Sequence, residues 1–368
     1  GDRVAGFLPN IPEAVIAMLA TTSLGAVWAS CSPDFGVQGV LDRFEQFQPK
    51  VLLTADGYFY KGKAHYNLND VQEIVSRIPS IQQLIVIGYT SPQPNIAPLE
   101  KTLLWTQILA TYTPKTIDFV DCAFDDPLFI MFSSGTTGQP KCIVHGVGGT
   151  LIQHLKEHKL HGDVRVNDRV FYFTTCGWMM WNWQVSALAC GAQLMLYDGS
   201  PTHPKADILF DYADSEKFTF FGTSAKFIDA LQKMNIKPME THALNSLRMI
   251  ASTGSPLAPE SFQYVYNHIK TDVCLASISG GTDIISCFGL GNPMAPVWAG
   301  ELQTRGLGLA VEIFDENGKS VVNQRGELVC TKPFPAKPIG FWNDPEGKKY
   351  HKAYFATYEN IWHHGDFV

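Results

Sequence analysis

One string limits what this chain can fold into more than any other: Phe132-Ser133-Ser134-Gly135-Thr136-Thr137-Gly138-Gln139-Pro140-Lys141. An apolar run, Leu128 to Phe132, precedes it, and a second, Cys142-Ile143-Val144, follows it. Two buried strands joined by a turn rich in glycine and hydroxyls are expected. Glycine lets backbone approach an anion closely and tolerates positive φ. Successive N–H groups in such a turn make an anion-binding concavity. Ser and Thr hydroxyls add donors, and Lys141 supplies a mobile positive charge. Ser133, Ser134, Gly135, Thr136, Thr137 and Gly138 are thus predicted to clamp the phosphates of a nucleotide. On the GxxG spacing alone, an ordinary polar hairpin turn serves as well. The Walker P-loop does not fit, because it needs G-x-x-x-x-G-K-[ST]. Here Thr136 and Thr137 alone separate the two glycines, and Cys142 stands where Ser or Thr would bind magnesium.

Around this string the chain alternates between strand and helix patterns. Val4 to Leu8 reads as a strand, followed by a helix capped by Asn10 with Pro12 in its first turn. Ile11, Val15, Met18, Leu19 and Leu24 fit one helical face, and Gly25 is placed to end it. Ala26 to Ala29, Val51 to Thr54 and Leu84 to Ile87 read as further buried strands. Beyond the clamp, helical and strand patterns alternate from Gly148 to Ala276. Such alternation predicts a mostly parallel, doubly wound α/β architecture. The pattern changes near Pro293. Leu309 to Phe314 and Glu327 to Thr331 alternate, with an Asn317-Gly318 turn between them, which predicts a small antiparallel β unit. The expected organisation is paired αβ subdomains over 1–292 and a small β unit over 293–368.

Composition narrows the class. The chain has 368 residues, 45% hydrophobic and 17% charged, which suits two or three well-buried cores. A net charge of −7 and the lack of a Lys/Arg block argue against a nucleic-acid surface. Apolar stretches are interrupted well before the length of a membrane span. The eight cysteines are scattered, without a CxxC pair. Cys190, Cys274 and Cys330 sit in apolar runs and read as buried thiols of a reducing compartment, the cytosol.

Three more constellations carry chemistry. Thr253-Gly254-Ser255-Pro256-Leu257 falls between a strand and a helix, where backbone can meet a flat base or simply turn. Ser277-Ile278-Ser279-Gly280-Gly281-Thr282-Asp283 places glycines, a hydroxyl and a carboxylate at a strand end. Mg²⁺ takes oxygen ligands and often uses one carboxylate plus substrate phosphates, although Asp283 also suits a helix N-cap. Trp362-His363-His364-Gly365-Asp366 ends in a carboxylate able to accept two hydrogen bonds. The run Gly177-Trp178-Met179-Met180-Trp181-Asn182-Trp183 has the composition of a core segment. The adjacent His363 and His364 point to opposite sides of an extended chain, which disfavours a zinc site.

Taken together, Phe132 to Lys141, Thr282-Asp283 and Gly365-Asp366 resemble the signatures of the adenylate-forming superfamily of acyl-CoA synthetases, luciferases and peptide-synthetase adenylation domains. The resemblance runs from Gly1-Asp2-Arg3-Val4 to Gly365-Asp366. It implies the large-domain fold of that superfamily: two doubly wound αβ subdomains plus a small antiparallel β unit. It implies that Gly254, Ser255 and Pro256 contact adenine, that Asp366 grips the ribose, and that Lys141 and Thr282 act on the phosphates. Asp283 stands where relatives have a magnesium-binding glutamate, one methylene longer. Cys31-Ser32-Pro33-Asp34-Phe35-Gly36 and Gly177 to Trp183 are similar to the synthetases that activate acetoacetate. The implied reaction converts ATP, acetoacetate and CoA to acetoacetyl-CoA, AMP and diphosphate through an acyl-adenylate, for lipid synthesis from ketone bodies. Trp178, Met179, Met180 and Gly280 would line the acyl pocket, with Gly280 where acetate-specific relatives place an indole, so that the missing side chain would open room for a longer acyl group. Superfamily members continue past Gly-Asp into a small domain that carries the adenylation lysine. The expectation is that this chain holds the substrate- and ATP-binding part. Another short-chain acyl-CoA synthetase and a nucleotide-binding module without turnover remain open alternatives.

Overall fold

The computed structural model describes residues 1–133 and 138–368. Short, nearly all-apolar strands pair in parallel, as strands covered on both faces do. In the first sheet the order is Gly340–Phe341, Lys141–Gly146, Pro127–Ser133, Val27–Cys31, Arg3–Phe7, Val51–Ala55, Gln83–Ile87 and Thr102–Leu104. The strands from Pro127–Ser133 to Thr102–Leu104 run parallel, while Pro127–Ser133 with Lys141–Gly146 forms the predicted antiparallel hairpin. The second sheet is wholly parallel, in the order Gln193–Met195, Arg169–Tyr172, Phe220–Ser224, Met249–Thr253 and Cys274–Ser277.

The largest core cluster takes side chains from both sheets. Trp28, Leu53 and Phe129 come from the first, and Val170, Phe220, Met249 and Ala276 from the second. The helices Pro12–Ser23 and Met179–Val185 contribute Met18, Met179, Met180 and Trp181 to the same cluster. The two wound units expected from the alternation are therefore joined by one apolar layer.

The small antiparallel sheets follow. Ser279–Gly281, Ser286–Leu290 and Thr304–Arg305 form one, and Val311–Phe314, Glu327–Cys330 and Trp362–Phe367 another. Pairing crosses the boundary expected at 292/293, since Leu290 pairs with Thr304 and Gly340 with Val144 of the first sheet. The β unit is thus hydrogen-bonded to the strand that carries Lys141 and to the strand Ser286–Leu290 that follows the Thr282 turn.

Two local readings are corrected. Asn10 does not cap the first helix: Ile11 holds the cap position, with no side-chain cap bond. Asn10 is instead buried, accepting from Trp181 Nε1 at 3.0 Å and donating to the carbonyls of Thr174 and Tyr197 at 3.5 Å. Pulling the side chain into the interface between the two units satisfies an indole N–H that would otherwise be orphaned. Leu19 and Leu24, assigned to the buried face, are exposed. Gly25 does end the helix region, at φ 66°.

Candidate active site

The hairpin brings Ser133 opposite Lys141. The Ser133 hydroxyl is buried and has no hydrogen-bond partner among the described residues. Gly138 stands at φ 105°, a conformation that favours glycine. Ser134, Gly135, Thr136 and Thr137, the centre of the predicted clamp, lie outside the described residues.

Lys141, the first residue of its strand, points at the strand end that carries Thr282 and Asp283. Its Nζ lies 3.5 Å from Asp283 Oδ1 and 5.2 Å from the centre of the Tyr354 ring. The Tyr354 hydroxyl donates to the same carboxylate oxygen. Burial, reinforced by the Asp283 charge, pushes the Tyr354 phenol well above its usual range, so it stays a donor. Tyr354 is fixed in turn by stacking on Trp362, with ring centres 3.9 Å apart.

The last strand closes the other side. His364 packs edge-on to Phe288 at 4.8 Å, and its ring atoms flank Gly281. Its Nε2 lies 3.6 Å from Asp366 Oδ2. Burial lowers the His364 pKa, opposed by Asp283 and then Asp366. Asp366 itself is exposed, so its second oxygen is open to a ligand. His363 points away, to Glu327 Oε2 at 3.0 Å.

The Gly254–Pro256 turn joins this group through its neighbour: Thr253 Oγ1 donates to the Ile278 carbonyl at 2.8 Å, just before Ser279–Gly281. All three turn residues are exposed, and Gly254 has φ 88°. Lys141, Thr282, Asp283, His364 with Asp366, and the Gly254 turn are therefore linked by direct contacts or by adjoining strand ends.

Beneath this rim lies a polar bed. His145, four residues beyond Lys141 on the same strand, sits 2.9 Å from the Thr282 carbonyl through Nε2. The Val147–Lys156 helix continues as a π-helix over Glu157–His161. The wider winding directs Glu157, His158 and His161 inward together. His154 Nε2 meets the Ile285 carbonyl at 2.6 Å, and His161 Nδ1 meets the Gly291 carbonyl at 2.8 Å. A nitrogen facing a carbonyl must carry a proton, which assigns each tautomer. Burial lowers the pKa of all of these rings, to about 4 for His145 and about 3 for His158. Each ring is therefore a neutral donor. Glu157 is fully buried and accepts from Trp183 Nε1, Gln153 Nε2 and the Ser286 hydroxyl. Ile285, inside this grip, has φ 48° and ψ 30°. A β-branched residue there is a backbone outlier and costs about 1–3 kcal/mol.

The acyl-pocket residues behave differently. Met179 and Met180 are buried in the main core, and Trp178 packs edge-on to Tyr172 at 5.9 Å. The reading of Gly280 as a deleted indole that leaves open room is corrected. A Cβ there would lie 2.1 Å from the Ser286 carbonyl oxygen and 2.4 Å from the Cys287 Cα. Gly280 is required because the neighbouring strand's backbone fills that direction. A cavity of about 580 Å³ has none of these residues in its lining. Asn10, Asp34, Tyr58, Phe173 and Asp198 are among its lining, near the C-terminal ends of strands from both sheets. That is where open α/β sheets receive ligands.

Could the rim hold Mg²⁺? Asp283 is one half-buried carboxylate with backbone and hydroxyl oxygens near it. That fits an ion completing its shell with substrate phosphates and water. Lys141 now occupies the same oxygen, so ion and lysine would exchange partners. Sequence reasoning missed Tyr354, His145 and His154. The spacing of His145 from Lys141, two strand repeats, was a readable signal, as was the helical spacing of His154, His158 and His161.

A family model described as AMP-binding enzyme matches residues 1–338. The chain is 54% identical to acetoacetyl-coenzyme A synthetase of Rhizobium meliloti (strain 1021), covering all of this chain and 56% of that protein. It is 52% identical to acetoacetyl-CoA synthetase of Mus musculus, covering 55% of that protein. A solved structure of acetoacetyl-CoA synthetase from Streptomyces lividans superposes with TM-score 0.95 at 44% identity, over the whole chain and 56% of that structure. The chain thus spans a little over half the length of the curated relatives it matches.

Proposed function

We propose, from the premise that this chain belongs to the family of AMP-binding enzymes, that it forms the ATP- and acid-binding part of an acetoacetate–CoA ligase. The observation that carries the reading is the meeting of Lys141, Thr282, Asp283 and Asp366 around one strand end. The identity to acetoacetyl-CoA synthetases over the whole chain supports acetoacetate as the acid.

In this reading the ribose hydroxyls bind Asp366 and the adenine lies on the Gly254–Pro256 turn. The hairpin turn and Lys141 take the phosphates. Magnesium bound at Asp283 would offset phosphate charge. The acetoacetate carboxylate attacks the α-phosphorus, the bond to the bridging oxygen breaks, and diphosphate leaves with that electron pair. The CoA thiolate then attacks the acyl carbon and AMP departs. The chain's own contribution is position and charge: Lys141 and Thr282 offset negative charge on the phosphates, Lys141 on the terminal ones. Trp178, Met179 and Met180 back the acid side, and Gly280 lets its strand lie close to Ser286–Leu290. All eight cysteines are unpaired, which supports work in a reducing cytosol. No helix among the described residues is long and apolar enough to cross a membrane.

The test is acid-dependent exchange of diphosphate into ATP by the full-length protein. Acetoacetate should give the highest rate among acetoacetate, acetate, propionate and butyrate. Preference for butyrate or propionate would move the protein to another short-chain synthetase, and no exchange with any acid would end the ligase reading.

A further inference from the structure

We propose that His145 is a positioning residue for the phosphate site: its Nε2–H holds the Thr282–Asp283 turn in place while Lys141 moves from Asp283 to the phosphates. This rests on the nucleotide reading above and deepens it.

Lys141 and His145 are two strand repeats apart and so project from the same face. Both reach the same turn. Lys141 Nζ meets Asp283 Oδ1 at 3.5 Å, and His145 Nε2 meets the Thr282 carbonyl at 2.9 Å. The two attachments differ in kind. Lys141 is partly exposed and its contact is an ion pair that any phosphate can outbid. The ring of His145 is buried and its bond is to backbone, which no ligand displaces.

The turn needs such an anchor. The Ile285 N–H closes it on the Thr282 carbonyl at 3.1 Å, with Ile285 in the left-handed region. A strained turn persists only where its surroundings over-determine it. Here His145 fixes the first carbonyl, His154 the Ile285 carbonyl at 2.6 Å, and Gln153 the Ser286 hydroxyl at 2.7 Å. Of these, His145 alone holds the residue next to Asp283. When Lys141 leaves, Asp283 stays aimed because Thr282 is held from below.

The experiment compares H145Q with H145N in the full-length protein. Glutamine places an N–H close to where Nε2 stood, while asparagine places one where Nδ1 stood and falls short of Thr282. Binding of Mg²⁺–ATP and of AMP is measured by calorimetry, with thermal midpoints recorded alongside. H145Q should bind Mg²⁺–ATP within about threefold of wild type, and H145N about tenfold more weakly, the scale of one hydrogen bond. Both should bind AMP within about twofold of wild type and melt alike. Equal Mg²⁺–ATP binding by the two variants, or parallel loss of AMP, overturns the positioning role. So does failure of both variants to fold, which would make His145 a plain core residue. If wild type itself does not bind Mg²⁺–ATP, the nucleotide reading falls and this inference falls with it.

Discussion

The rim of the site and the bed beneath it are built on opposite rules. At the rim, Lys141, Asp283, His364 and Asp366 are paired through long or partly exposed contacts that a ligand can replace. In the bed, His145, His154, His161 and Glu157 are buried and committed to backbone or to each other's neighbours. Reactive groups are left weakly engaged, and the strain needed to present them is held by groups that cannot be competed away. The difference predicts that substitutions in the bed cost stability, or the placing of the rim where they hold it as His145 does, and that those at the rim cost binding.

The largest effect should come from Glu157→Ala. It removes the acceptor for Trp183 Nε1, Gln153 Nε2 and the Ser286 hydroxyl, and leaves Lys156 Nζ, 3.6 Å away, without its counter-charge. Breaking a buried charged pair costs about 3–5 kcal/mol. Urea unfolding should show a loss of that order, and a loss below about 1 kcal/mol would erase the distinction between bed and rim.

Lys141→Ala sharpens the comparison from the other side. Its ion pair is partly exposed, so stability should change by no more than about 1 kcal/mol. ATP binding should weaken by about 1.5–3 kcal/mol, the worth of a charged hydrogen bond. AMP, without the terminal phosphates, should bind almost as before. Titration calorimetry with both nucleotides reads this directly, and equal losses for ATP and AMP would remove Lys141 from the phosphates.

Acid should act mainly on the bed. The folded pKa values of His145, at about 4, and His158, at about 3, lie below that of an unfolded histidine. Below roughly pH 6.5 the unfolded chain therefore binds protons that the folded chain refuses. The stabilisation is present above that value and is lost as pH falls toward the folded values. Between pH 7 and 6 each such ring should lower stability by about 0.7 kcal/mol. Unfolding free energies across that unit should fall on acidification, and a flat or rising profile would mean that the rings are charged when folded.

These contrasts also explain what could be read in the amino-acid order. Rim groups sit in short strings whose chemistry is local: the hydroxyl–glycine turn before Lys141, Thr282-Asp283, the Gly254 turn, Gly365-Asp366. The alternation of apolar strands with helices was equally local, and both wound units appear where it placed them. Spacing could set the bed histidines on one face of a strand or helix but could not name their partners across the chain, and the same holds for Tyr354 at the rim. Tyr354 meets Asp283 across 71 residues, and His145 meets Thr282 across 137. No periodicity encodes such contacts. Asn10 had the right residue type for a helix cap, yet the Trp181 indole across the interface claimed it. Gly280 was read for the space a missing side chain leaves, whereas the backbone of Ser286 and Cys287 already occupies it.

The π winding over Glu157–His161 makes this helix intolerant of changes in length. An ordinary helix turns about 100° per residue. A further residue inside that segment has no wider winding to absorb it, so every later position would turn by about 100° and face a new direction. His161 would lose the Gly291 carbonyl and the Leu307 N–H together. Drift in this family is therefore expected to proceed by substitution along the helix and to spare its residue count. The surface loop near Pro92 to Asn95, exposed or half-buried and outside regular structure, is free to lengthen or shorten.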